Sequence, residues 1–127
     1  DYLKQETQWL EQELRNSAFR DARFRVCLLH IPPAVGNEEN SAKFIRAPWI
    51  RDNWSPMLSK AGIDLMISGH THRYSELPAD GKRTYPIVVG GTNTVIRVDV
   101  SPERLRLTTF NDDGTVLSQP KEVNRKR

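Results

Sequence analysis

The chain has 127 residues, of which 37% are hydrophobic and 28% charged, with a formal net charge of +3. That length holds one domain with a modest core, and the single cysteine, Cys27, excludes an internal disulfide framework. No apolar run approaches the ~18 residues of a membrane span, and the basic tail "NRKR" has no interleaved aromatic residues to stack on bases, so neither a membrane span nor a nucleic-acid partner is expected.

The opening "DYLKQETQWLEQELRNSAF" places Leu3, Thr7, Leu10 and Leu14 at three- and four-residue steps, with Trp9 widening the stripe. Glu, Gln and Lys fill the other face, which predicts an amphipathic helix ended near Asn16 and Ser17. "RFRVCLLH" predicts a mostly buried strand that closes at His30, because Pro32 and Pro33 forbid its continuation. The apolar neighbours of Cys27 predict a buried, inert thiol. Residues 31–47 read as a long polar loop containing "GNEEN". In "APWIRDNWSPMLSKAG", Trp49, Ile50, Trp54, Met57 and Leu58 share a helical face. Pro56 either breaks that helix or starts a second one, and Gly62 is its stop. "IDLMIS" is then a short buried strand running into Gly69. From Tyr85 the texture changes to short β-type runs, "YPIVVGG", "TVIRVDV" and "RLRLTTF", with "TVLS" as a last strand after the turn "NDDG".

The chain contains three histidines, His30, His70 and His72, and each stands at the end of a strand-like run. In α/β arrangements ligands sit at the carboxyl ends of strands. Singly, a strand-end histidine is more often a hydrogen-bonded polar residue than a ligand, and H-x-H alone is a weak motif. Together, with no histidine elsewhere, the three favour a metal site. The two-residue spacing puts His70 and His72 on one side of an extended chain, and Gly69 gives the backbone room to turn. Imidazole suits several transition metals, so the spacing names no ion. Other residues have plainer readings. Asp64 is a structural strand-entry aspartate. Tyr74 and Glu76 belong to a solvated loop rather than a substrate pocket, and Gly90 and Gly91 either bring backbone near the cleft or form a hairpin turn, which explains them as well. Trp49 and Trp54 are packing residues.

These segments, "KQETQWLEQEL", "LLHIPP" and "AGIDLMISGHTHRY", resemble the C-terminal half of a calcineurin-like metallophosphoesterase, the superfamily that includes the purple acid phosphatases. The resemblance covers roughly residues 5–92. G-H-T-H after an apolar strand is its most specific part, and H-x-P-P at that distance is less so. It implies an α/β (α+β) fold, the C-terminal half of an αββα sandwich: helix, strand, helix, strand, then an antiparallel β-meander. It implies hydrolysis of a phosphate ester at a site of two divalent or trivalent transition metal ions (Fe, Mn or Zn) that activate the nucleophile and neutralise phosphoryl oxygens. Carried over by motif, His30 and His70 resemble ligands of one ion and His72 a ligand of the other.

The family's D-x-H, G-D-x-x-D and G-N-H-[DE] motifs do not occur in the chain. The bridging carboxylate, the asparagine ligand and the histidine that protonates the leaving group have no counterpart. The chain is therefore expected to be one partial domain over 1–127, completed by an upstream half. Alone it is expected to bind metal weakly or not at all, to be inactive, and to self-associate through uncovered sheet. Two other readings stand beside this one: a metal-binding or regulatory module that hydrolyses nothing, and a structural α/β domain whose histidines only make hydrogen bonds. The substrate stays open among monoester, diester, nucleotide, phosphoprotein and phospholipid. The compartment stays open as well, with a bacterial extracytoplasmic location slightly favoured over a cytoplasmic one.

Overall fold

The computed structural model describes residues 1–35 and 46–126. Helix α1 (Tyr2–Glu13) is capped by Asp1, whose carboxylate accepts from the Leu3 N–H at 3.2 Å. Asn16 then caps a short α2 (Ser17–Asp21) by accepting from the Ala18 N–H at 3.0 Å, so the expected stop is also a start. Strand β1 (Val26–Leu29) follows and ends one residue before His30. The second helical stretch is continuous but changes winding: α3 (Ala47–Trp49), a π-helical turn (Ile50–Trp54) and α4 (Ser55–Ala61). The wider turn lies just before Pro56, which has no N–H to donate backwards, so the chain stays helical through a residue that would otherwise break it. Gly62 ends α4 at φ 73°, the left-handed conformation that glycine reaches without strain.

Strands β2 (Leu65–Ser68), β3 (Ser75–Leu77) and β4 (Ile87–Val89) join β1 in a four-stranded sheet of order β1-β2-β4-β3. β1, β2 and β4 are parallel, and β3 is antiparallel to β4. Strands β5 (Thr94–Val100), β6 (Arg104–Asn111) and β7 (Val116–Asn124) form a second, antiparallel sheet in sequence order. The expected helix-strand order and the terminal meander are both present, in a mixed α/β fold with two sheets.

The period-two alternation of the first sheet sorts its side chains into two cores. On one face Met66, Ile87 and Val89 meet Ile50, Trp54 and Leu58 of the helices, with Leu10 and Leu14 of α1 packed against them. On the other face Leu65 and Val88 meet Leu105 and Leu107 of the second sheet. Trp54 donates its indole N–H to Thr7 Oγ1 at 2.8 Å, tying α1 to the second helical stretch.

Four expectations need correction. Among the described residues β1 is an edge strand, with β2 on one side and no strand on the other, and its Val26 and Leu28 are 40% and 76% exposed. Trp9 does not join the buried stripe; it is 61% exposed. The solvated loop expected around Glu76 contains β3, since pairing with β4 supplies what its own sequence does not. The last strand runs well past "TVLS", to Asn124. The "GNEEN" segment lies outside the described residues.

Candidate functional site

The parallel pairing of β1 with β2 sets Leu29 opposite Ser68, so both strands end at the same level. The ladder continues one step further, with the Gly69 N–H donating to the His30 carbonyl at 3.1 Å. His30 and His70 therefore leave the sheet side by side. His70 Nδ1 lies 3.0 Å from His30 Nε2, with the ring centroids 5.0 Å apart and the planes at 84°. In that contact one nitrogen carries the proton and the other accepts it. His30 and His72 are exposed and His70 is half-buried.

The segment after β2 is not extended. His70 has φ 68° and His72 has φ 59°, both in the left-handed region, which costs a non-glycine residue about 1–2 kcal/mol. The expectation that spacing alone aligns these rings along an extended chain is corrected: a curled loop positions them. Thr71 holds that loop from within, its N–H donating to the Gly69 carbonyl at 2.8 Å and its hydroxyl to the Arg73 carbonyl at 2.9 Å. Gly69 is not the glycine the loop depends on, since a Cβ there meets nothing within 4 Å. Gly91 is: a Cβ at that position would lie 2.6 Å from the Tyr74 backbone nitrogen.

Beyond the histidines, Tyr74 and Glu76 belong to a polar network between the sheets. The Tyr74 hydroxyl bonds Glu76 and Ser118, the latter at 3.0 Å, and Lys121 pairs with Glu76. Burial alone would raise the Glu76 carboxyl. The hydrogen bonds from Lys121, Tyr74 and Ser118 outweigh it and hold the pKa below the ordinary glutamate value. Tyr74 is raised, by burial first and then by Glu76. Asp64 is structural: its Oδ2 accepts from the Arg25 N–H at 2.9 Å, and its own N–H donates to the Arg25 carbonyl at 2.8 Å. Cys27 is pushed up to about 11 by burial, as expected of an inert thiol.

Among the described residues no group of three or more His, Cys, Asp and Glu side chains is placed to hold a metal ion. The structure thus brings His30 and His70 together and puts His72 two residues on. A cavity of about 680 Å³, lined in part by Val35, Arg51 and Lys82, lies apart from the histidines. Sequence reasoning left Gly91 open between a close approach to the cleft and a hairpin turn, and missed Thr92 as a neighbour of the histidine loop. "GGTN" reads locally as a turn, and nothing in its spacing reports a contact with residues about twenty positions earlier.

No family model matches the chain. No curated protein matches it either. Among solved structures, it is similar to a conserved uncharacterized protein from Streptococcus pneumoniae TIGR4, described as a predicted phosphoesterase. The identity is 16% and the TM-score 0.44, over 67% of this chain and 53% of that one. The chain spans about half the length of the protein it is similar to.

Proposed function

We propose that the chain is the C-terminal part of a metal-dependent phosphoesterase domain, with His30, His70 and His72 as metal ligands and a phosphate ester as substrate. The observation that carries this reading is the meeting of His30 and His70 at two adjacent strand ends, with ring nitrogens 3.0 Å apart. That separation suits chelation. With metal–nitrogen bonds of about 2.0–2.1 Å, two ligand nitrogens stand roughly 2.9–3.3 Å apart in octahedral or tetrahedral geometry. To accept an ion, the pair gives up the proton it shares and turns both lone pairs to the site.

Two transition metal ions bound there supply Lewis-acid polarisation of a phosphoryl oxygen and activation of water. The residues of this chain bind and orient. The strand ends fix His30 and His70, and the curled loop presents His72. Three neutral imidazoles bring no negative charge, so two closely spaced dications need carboxylates from an upstream segment to offset their repulsion. Residues 1–127 alone therefore bind metal weakly and show no turnover above background.

The ring–ring hydrogen bond also supports the plainer reading, in which the histidines only tie two strand ends together. Hydrolysis separates the two. The full-length protein, stripped with a chelator and reloaded with Mn, Fe or Zn ions, is assayed on chromogenic phosphate mono- and diesters. Metal-dependent turnover that His72→Ala lowers by at least about 10–100-fold is the expected result. Turnover unaffected by His70→Ala and His72→Ala, or no turnover with either class of ester, contradicts the proposal.

A further inference from the structure

His72 combines a strained backbone with an external clamp. Its φ of 59° lies where a residue with a Cβ persists only if its surroundings over-determine it. Those surroundings come from the turn after β4. The Thr92 N–H donates to the His72 carbonyl at 3.2 Å, and the Thr92 hydroxyl donates to the same oxygen at 3.3 Å. One residue earlier, Gly91 lies so close to the histidine loop that a Cβ would stand 2.6 Å from the Tyr74 nitrogen and 3.1 Å from the Arg73 carbonyl carbon. Neither of those backbone atoms can swing aside as a side-chain tip can.

The turn is itself stiff. The Gly91 N–H donates to Thr94 Oγ1 at 2.8 Å, and that hydroxyl donates back to the Gly91 carbonyl at 2.9 Å. The Gly90 N–H donates to the Ser68 carbonyl at 2.8 Å, which anchors the turn to the end of β2. The turn and the histidine loop are thus braced against one strand end and against each other.

We propose that Gly91 and Thr92 are positioning residues for His72: the absent side chain at 91 lets the loop seat against the turn, and Thr92 holds the His72 carbonyl so that the backbone keeps its left-handed conformation. This rests on the reading of His72 as a metal ligand. A metal–imidazole bond of about 2.0–2.1 Å tolerates little displacement of the ring, so the groups that fix the backbone of a ligand also set its affinity for the ion.

The test is a Co(II) titration of the full-length protein, read by the visible d–d absorption, which reports ligand number and geometry as well as affinity. His72→Ala, Gly91→Ala, Thr92→Val and Thr92→Ser are compared with the parent. Gly91→Ala and Thr92→Val are expected to weaken Co(II) binding by about 10-fold or more and to change the band shape. Thr92→Ser, which keeps the hydroxyl, is expected to restore the parent spectrum. If Gly91→Ala does not fold, Thr92→Val against Thr92→Ser carries the comparison alone. Parent-like binding by Thr92→Val while His72→Ala loses it overturns the positioning role and leaves the metal site standing. Parent-like binding by His72→Ala overturns both.

Discussion

Glu76 shows how one residue is set by groups distant in sequence. Lys121, Tyr74 and Ser118 hold its carboxylate in the charged form, so its pKa in the folded chain lies below the unfolded value of about 4.3. A depressed carboxyl contributes stability that is fully present above the unfolded pKa and is lost as pH falls through the folded one. The Tm of the wild-type protein should therefore fall more steeply below about pH 5 than that of Glu76→Gln. The variant should be less stable at pH 7, and the two curves should converge in acid. Thermal melts at a series of pH values check this, and parallel curves would contradict it. The sequence offers "RYSE" as a loop because the network needs β7, more than forty positions away. The strand-entry role of Asp64 was legible, since its backbone partner, Arg25, is the residue just before the neighbouring strand and the pairing follows from where β2 begins.

At the scale of elements, β1 carries the clearest consequence. Its Val26 and Leu28 side chains are exposed, and its outer edge pairs with no strand among the described residues. An apolar groove of about 390 Å³ runs beside it, lined by Trp9, Leu10, Leu14, Phe19 and Leu58 among others. An edge of this kind invites pairing. Sedimentation velocity at micromolar concentrations should show concentration-dependent association that Leu28→Lys reduces, with Tm changed little, as for an exposed position. A monomeric wild-type protein would contradict this. The run "VCLL" announces a strand but not its neighbours, so burial was overestimated there. For β2 and β4, flanked on both sides and covered on both faces, the same kind of apolar run was read correctly. β3 was missed because "SEL" has one apolar residue and exists as a strand through its pairing with β4. The helical stretch was legible down to Gly62, whereas the π-helical turn that accommodates Pro56 was not, since winding depends on how the helix packs on the sheet.

The whole molecule is a layer of helices on a four-stranded sheet backed by a three-stranded meander, with the histidines at the rim where β1 and β2 end. The strand ends and the order of the histidines were legible from sequence. The curl of the loop between Gly69 and Arg73, and its brace at Gly91 and Thr92, required the fold. We propose His30, His70 and His72 as ligands of a two-ion metal site. Having three histidines makes that claim directly measurable in residues 1–127, because the imidazole ¹⁵N signals are few and can be assigned one by one. In a Zn(II) titration at millimolar concentration, the ring nitrogens of His30 and His70 are expected to lose the signature of a shared proton and to shift to metal-bound values. Ring signals that stay unchanged, with the His30–His70 hydrogen bond intact in excess zinc, would contradict it.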